Sequence, residues 1–173
     1  GRSRILTHEE LCRFYDALKP RVKNANHWIL PLVKLALTTA MRRGELLGLK
    51  WADIDLNKQT AHILLTKNGD SRSVPLSSDA IDILKGLPRS INGKVFPITS
   101  FTLSAAIERA RTKAKLEDFH FHDLRHMAIT ILAEKLPNLI ELSSVTGHRS
   151  LAMLKRYYHP KAEDIARKLD KIA

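Results

Sequence analysis

Two adjacent tyrosines, Tyr157 and Tyr158, lie in the segment GHRSLAMLKRYYHP, which covers residues 147–160. A histidine, His148, precedes the first tyrosine by nine positions. A phenol becomes a useful nucleophile when a nearby base removes its proton, so a tyrosine among histidines can perform covalent catalysis. The alternative is that both rings pack in a core, which fits poorly with the basic residues around them.

A second group of ionisable residues lies in the segment FHFHDLRHMA, where His122 and Arg125 are three positions apart. On a helix this spacing puts both side chains on one face, which favours an anion site. Zinc is the competing interpretation, because His122 and His126 are spaced like two ligands of a zinc protease. That motif needs a glutamate where Asp123 stands, and no third ligand is evident, so we expect no metal. His120 and His126 are expected to cap or pack.

Two further basic residues could reach an anion. Arg42 stands at the start of a short predicted helix, where free backbone N–H groups also favour negative charge. Glu45, three residues later, can hold its guanidinium, although such a pair alone is more often a surface ion pair. Lys67 lies at a predicted hairpin turn, from which its flexible ammonium can reach into a cleft. A lysine in a turn means little by itself.

The composition agrees with an anionic partner. The 173 residues correspond to one globular domain, in which 29 Lys and Arg against 18 Asp and Glu give a net charge of +11. Nucleic acid is the most common partner of such a domain, and the alternative is that the charge only maintains solubility. Cys12 is the only cysteine, which excludes an intrachain disulfide and suits a reducing cytoplasm. No apolar run reaches the length that spans a membrane.

The hydrophobic pattern predicts a mainly α fold with a small antiparallel β-sheet. Thr7 and Glu10 form a capping box before the first helix, and HWILPLVKLALTTA is apolar nearly all round, which predicts a buried central helix. Asn68-Gly69 between two extended runs predicts a β-hairpin whose turn carries Lys67. Further helices are predicted in RRGELLGL, SSDAIDILKGL, SFTLSAAIERARTKAKL, HDLRHMAITILAEKL, NLIELSSVTG and SLAMLKRYY, and in an amphipathic tail over residues 162–173.

The segments TAMRRGELLGLKWADID, TKNGDSRSVPL, HDLRH and GHRSLAMLKRYYH follow in the order and spacing of the tyrosine recombinases, the phage integrase family. This resemblance extends over nearly the whole chain. It implies the fold of that family's catalytic domain and a reaction that cuts and rejoins double-stranded DNA through a covalent 3′-phosphotyrosine, without metal or cofactor. Such enzymes usually carry an amino-terminal DNA-binding domain that nothing here resembles. We therefore expect residues 1–173 to be a single catalytic domain, encoded by a bacterial prophage or mobile element.

The resemblance also implies the roles of single residues. Two guanidiniums and a histidine would hold the phosphate, His122 would take the proton of the phenol, and Lys67 would give one to the departing 5′ oxygen. The residues that match the family's catalytic positions are Arg42, Lys67, His122, Arg125, His148 and Tyr157.

Tyr157, and not Tyr158, is the predicted nucleophile. It follows His148 by the family's nine positions and precedes His159 by two, which completes the family's Y-x-H. Adjacent residues of a helix point about 100° apart, so only one phenol can face the phosphate. Tyr158 is expected to pack or to face solvent.

Three positions depart from the family's pattern. Ala40 and Thr146 stand where a glycine and a leucine are usual, and EKLPN lacks a glycine that is common after the H-x-x-R helix. These departures concern local backbone geometry and remove no catalytic group. The resemblance further implies that the tail helix packs on a neighbouring protomer when both are bound to DNA.

Two other functions remain open from the sequence. A type IB topoisomerase would use similar chemistry to relax DNA, and a basic DNA-binding module would have only structural tyrosines. The small size and the HDLRH and GH motifs favour the recombinase over the topoisomerase. Formation of a covalent adduct with nicked DNA excludes the binding module.

Overall fold

The fold in the computed structural model, which describes residues 4–23, 26–64 and 71–172, is mainly helical with a small antiparallel sheet, as predicted. The α-helices of these residues are α1 (His8–Leu18), α2 (Ile29–Thr39), α3 (Arg43–Gly48), α4 (Ser78–Lys85), α5 (Ser100–Lys113), α6 (Phe121–Lys135), α7 (Leu139–Thr146) and α8 (Ala162–Asp170). The strands are β1 (Ile54–Asp55), β2 (Thr60–Leu64) and β3 (Ser71–Pro75).

Helix α1 begins at the predicted capping box. The Thr7 hydroxyl accepts the Glu10 backbone N–H at 3.2 Å, and the Glu10 carboxylate accepts the Thr7 N–H at 2.9 Å. These two bonds satisfy backbone donors that have no partner within the helix. The capping box is confirmed.

Helix α2 is the buried central helix and packs against both α4 and α6. It ends at Ala40, whose φ of 54° lies in the left-handed region. Glycine adopts this conformation freely, whereas alanine pays about 1–2 kcal/mol. The alanine that replaces the usual glycine thus stands where the backbone is left-handed, and the Ala40 carbonyl accepts a hydrogen bond from Arg125.

The three strands form an antiparallel sheet in the order β1-β2-β3. Ala61 pairs with Val74, both fully buried, and Leu64 pairs with Ser71 at the open end of the β2–β3 ladder. The antiparallel pairing of the hairpin is confirmed. Its predicted turn at Asn68-Gly69, with Lys67, lies outside the described residues.

The helix predicted over SLAMLKRYY is wrong. The segment forms two single turns of 3₁₀-helix, Leu151–Met153 and Lys155–Tyr157. Between them Leu154 is fully buried, whereas Leu151 and Met153 are exposed. Since one buried anchor stabilises only the turns next to it, packing gives no reason for a longer helix. Leu154 joins a small apolar cluster with residues of α6 and α7, against which Tyr157 packs.

The tail helix is present as α8, and its side chains are exposed. Every described residue from 159 to 172 is exposed, including Ile165, Leu169 and Ile172 of the apolar stripe. Acidic residues in its first turn and basic residues in its last turn complement the helix dipole. No helix in the described part of the chain is long and apolar enough to cross a membrane.

Candidate active site

Helix α6 carries Arg125 into the interior of the domain. Its side chain is buried and donates hydrogen bonds to the Thr146 carbonyl, at 2.7 Å, and to the Ala40 carbonyl. Burial and, after it, the nearby Arg42 charge lower its pKa to about 10, so the group remains cationic at neutral pH. The bonds to two fixed carbonyls hold this guanidinium in one orientation.

Arg42 precedes α3 and reaches the same region. Its guanidinium donates to the Gly147 carbonyl at 3.0 Å and to Glu45 Oε1 at 3.1 Å. Arg42 and Arg125 thus bind the carbonyls of consecutive residues at the end of α7. A guanidinium has five N–H donors, so each arginine keeps further donors for an anion. This arrangement suits a phosphate.

Arg72 fixes Glu45 and was missed by the sequence analysis. The two side chains are nearly buried and form a bidentate pair, with N–O distances of 2.6 and 3.0 Å. Arg72 Nε also donates to the Val145 carbonyl at 3.2 Å, which ties β3 to α7. Strand periodicity was the available signal, because Arg72 shares a face of β3 with the buried Val74.

Glu45 is held as a carboxylate. Burial alone would raise its pKa, but the hydrogen bonds from Arg72 and from the Arg42 backbone N–H outweigh burial and lower the pKa below its ordinary value. The Arg42 N–H donates to Glu45 at 2.7 Å. One carboxylate therefore orients both the backbone and the side chain of Arg42.

His148 follows the end of α7 and faces the two arginines. Burial, reinforced by the charges of Arg125 and Arg42, lowers its pKa to about 4, so the imidazole is neutral at neutral pH. The Thr146 hydroxyl lies 2.7 Å from His148 Nδ1 and donates to the Leu142 carbonyl at 2.9 Å. Thr146, which stands where the resemblance leads us to expect leucine, is fully buried. Its hydroxyl is hydrogen-bonded to His148, the candidate phosphate ligand.

Gly147 permits this arrangement for two reasons. Its φ is +70°, and a Cβ at this position would lie 2.9 Å from the guanidinium carbon of Arg72. Gly93 has a similar φ of +73°, but a Cβ there would meet no atom within 4 Å. Replacing each glycine by alanine therefore distinguishes two costs. Both positions carry the cost of a left-handed backbone, and only Gly147 adds that of a close contact with Arg72.

We expect Gly147→Ala to destabilise the domain more than Gly93→Ala does. In both variants an alanine in the left-handed region costs about 1–2 kcal/mol of stability. Only Gly147→Ala also pushes on Arg72, which adds about 1–3 kcal/mol if overpacking has its usual cost. The free energy of unfolding, measured by urea denaturation, checks this difference. Equal losses in the two variants would show that Arg72 moves aside freely.

Tyr157 is half-buried at the end of the second 3₁₀ turn. Its hydroxyl oxygen lies 2.5 Å from His126 Nδ1, and the Arg156 guanidinium lies 5.0 Å from the centre of its ring. Burial raises the pKa of the phenol, while Arg156 and Arg125 act in the opposite direction. Tyr158 follows this turn and has extended backbone, with φ −124° and ψ 112°.

The structure brings four of the six predicted site residues into one region. Electrostatic interactions connect Arg42, Arg125 and His148, and connect Arg125 with Tyr157. A cleft of about 970 Å³ opens beside Arg42 and His148. His122 is exposed at the first turn of α6, and no hydrogen bond among the described residues joins it to Tyr157. Lys67 lies outside the described residues.

The histidines of α6 do not form a metal centre with their neighbours. In the part of the chain that the structure describes, no three His, Cys, Asp or Glu side chains are grouped to hold a metal ion. The expectation that His126 merely packs is incomplete, since its ring faces the hydroxyl of Tyr157.

Comparison with known proteins gives one consistent family. The sequence model of the phage integrase family matches residues 4–164. A shufflon-specific DNA recombinase of Escherichia coli is 43% identical over 171 residues, which cover 98% of this chain and 44% of that protein. A putative integrase/recombinase of Haemophilus influenzae is 36% identical over 152 residues, which cover 86% of this chain and 50% of that protein. The chain spans about half the length of these curated relatives.

Solved structures share the fold. The catalytic domain of bacteriophage HP1 integrase matches with a TM-score of 0.74 and 22% identity, covering 96% of this chain and 95% of that one. The XerH site-specific recombinase, in a pre-cleavage complex with its difH substrate, matches with a TM-score of 0.69 and 29% identity, covering 93% of this chain and 51% of that one.

Proposed function

Because the chain belongs to the phage integrase family, we propose that it is the catalytic domain of a site-specific DNA recombinase. It cleaves and rejoins DNA strands through a covalent 3′-phosphotyrosyl intermediate on Tyr157. The observation that carries this proposal is the convergence of Arg42 and Arg125 on the carbonyls of Gly147 and Thr146, beside His148. Two fixed guanidiniums form a receptor for one phosphate, and the imidazole of His148 lies beside them.

The proposed reaction begins with the DNA phosphate bound by Arg42, Arg125 and the protonated form of His148, whose Nδ1 already bonds Thr146 and whose Nε2 then donates to the phosphate. These groups stabilise the charge that gathers on the non-bridging oxygens as the phosphorus is attacked. The Tyr157 hydroxyl gives its proton to a base as its oxygen forms a bond to phosphorus, and the bond from phosphorus to the 5′ oxygen breaks. Lys67 is proposed to protonate the departing oxygen.

Rejoining is the reverse of cleavage. A 5′ hydroxyl attacks the phosphotyrosine, and the bond between phosphorus and Tyr157 breaks. The energy of the original phosphodiester is retained in the tyrosyl ester, so the reaction needs no ATP. His122, exposed one turn before Arg125 on α6, is proposed to contact the bound phosphate.

Double-stranded DNA is the proposed substrate, in the cytoplasm or nucleoid of a bacterium. The net charge of +11 supports this partner, because Lys and Arg neutralise phosphates and release counterions. The exposed Cys12 is compatible with a reducing compartment.

Trapping on nicked DNA tests the proposal. A pool of duplexes with randomised sequence and a nick on one strand allows the short fragment to leave after cleavage, so that the protein remains attached. We expect a protein–DNA adduct that survives SDS and disappears on proteolysis, and a recombined product when two intact sites are supplied. Relaxation of supercoiled plasmid without recombination would favour a topoisomerase, and the absence of any adduct would leave only a DNA-binding module.

The exposed helix α8 is proposed to pack on a neighbouring protomer on DNA. Its apolar stripe of Ile165, Leu169 and Ile172 is exposed, as is every other described residue of the helix. Apolar residues repeated on one helical face normally need a partner surface. A second copy provides one whenever two sites are occupied side by side.

Deletion of residues 162–173 is expected to reduce assembly on DNA more than single-strand cleavage, because the deleted stripe lies outside the active site. Native gels that resolve singly and doubly occupied DNA measure assembly, and trapping measures cleavage. Arg167→Ala is the control, because Arg167 lies on the opposite face of α8 and its removal should change neither quantity. Full assembly and recombination by the deletion variant would exclude this role of α8.

A further inference from the structure

His126 contacts the reacting atom of the proposed nucleophile. Its Nδ1 lies 2.5 Å from the Tyr157 hydroxyl oxygen and 2.8 Å from a terminal nitrogen of Arg156. The same Arg156 nitrogen also lies 3.4 Å from Nε2, so it approaches both ring nitrogens. We assign the ring proton to Nε2, which leaves the lone pair of Nδ1 to accept from the phenol. The phenol must then be the donor in its own bond to Nδ1. The proton of Tyr157 therefore points at a base.

The charges around His126 favour this arrangement. Burial and the adjacent Arg156 lower the pKa of the imidazole, Asp123 acts in the opposite direction, and His122 adds to the lowering. His126 is thus neutral at neutral pH and able to accept a proton. Because burial raises the pKa of Tyr157, the phenol keeps its proton until a base takes it.

We propose that His126 accepts the proton of Tyr157 during strand cleavage, an assignment that rests on the proposed recombinase function. The phenol O–H bond breaks and an N–H bond forms at Nδ1, while the oxygen forms its bond to phosphorus. The 5′ oxygen leaves with a proton from the general acid, the role proposed above for Lys67. On rejoining, the imidazolium returns its proton to the departing tyrosyl oxygen.

The position of His126 next to Arg125 places the base close to a phosphate ligand. It follows Arg125 directly on α6, so one helical turn holds a phosphate ligand and the base that faces the nucleophile. His122, which the sequence analysis gave the proton-accepting role, lies one turn earlier, is exposed and is not bonded to the phenol. The assignment moves that role from His122 to His126.

His126→Asn separates proton transfer from positioning. The Asn amide oxygen can occupy the place of Nδ1 and accept the phenol's hydrogen bond, but it cannot take the proton. At neutral pH we expect adduct formation on nicked DNA to slow by about 10²–10⁴-fold, the usual contribution of a general base. The rate should then rise with pH toward the pKa of the phenol, because hydroxide replaces the missing base. The parent protein should show a plateau instead.

His120→Asn is the matched control, His122→Asn tests the competing base, and DNA binding and thermal unfolding are measured on the same samples. A His126→Asn variant with the parent's rate and pH profile would overturn the proposal. A loss that persists equally at every pH would also overturn it, since that result indicates positioning alone. The high-pH rescue appearing in His122→Asn would return the role to His122. Failure of the parent protein to form any adduct would instead count against the recombinase function.

Discussion

Tyr157→Phe is expected to abolish the covalent DNA adduct and to leave DNA binding unchanged. The substitution removes only the hydroxyl oxygen, which is the atom that would bond to phosphorus. The ring still packs against the apolar cluster of α6 and α7, so the domain should stay folded. SDS gels of trapped nicked DNA measure the adduct, and a filter-binding or mobility-shift assay measures affinity.

Tyr158→Phe is the matched control and should still form the adduct. Tyr158 lies beyond the last 3₁₀ turn in extended backbone, and no hydrogen bond in the described part of the chain ties its hydroxyl to His126. The predicted helix, in which adjacent side chains would point about 100° apart, is absent. The choice of Tyr157 is instead supported by the contact of its hydroxyl with His126. An adduct that survives Tyr157→Phe and vanishes with Tyr158→Phe would reverse the assignment.

Glu45→Gln is expected to lower both stability and cleavage. Removing the charge of Glu45 leaves the nearly buried Arg72 without its counterion, and breaking a buried pair from one side typically costs about 3–5 kcal/mol. Arg42 loses the carboxylate that orients it, so the phosphate receptor loosens as well. Urea denaturation measures the first effect, and trapping rates under conditions where the variant is folded measure the second.

Glu9→Gln is the control for this prediction. Glu9 pairs with Arg13 at 3.1 Å, but both side chains are well exposed, so the loss of their attraction should be hardly measurable. Equal stability losses in the two variants would mean that the buried pair with Arg72 contributes nothing special.

The stabilising effect of Glu45, measured against Glu45→Gln, should depend on pH in a definite direction. Because the pKa of Glu45 is lower in the folded protein than in the unfolded chain, its contribution to stability is present above the unfolded value of about 4.3 and is lost as the pH falls below it. The difference in free energy of unfolding between the parent and Glu45→Gln should therefore shrink in acid. A difference that stays constant from pH 7 to pH 3 would contradict this explanation.

Local signals in the sequence predicted most of the fold. The Thr7–Glu10 capping box and the apolar run of α2 are properties of neighbouring residues, so they could be identified without tertiary information. The helix prediction for the segment around Leu154 was wrong because the spacing of its apolar residues is typical of a helix. The structure buries only one of these residues fully.

Partners distant in the chain could not be predicted in the same way. Glu45 and Arg72 are 27 positions apart and His126 and Tyr157 are 31 apart, so neither contact leaves a local pattern. The sequence identified Glu45 as a partner of Arg42 but missed the second arginine on the same carboxylate. It also identified the H-x-x-R motif while giving no sign that the next histidine faces the tyrosine.

Identification of the residue joined to DNA tests the central claim most directly. Trypsin cuts after Arg156 and Lys161 and releases the peptide YYHPK from a nuclease-trimmed adduct. Fragmentation in the mass spectrometer then distinguishes its two tyrosines. We predict a nucleotide attached through its 3′ phosphate to Tyr157. Attachment to Tyr158 or to a different peptide, or linkage through a 5′ phosphate, would contradict the proposed active site.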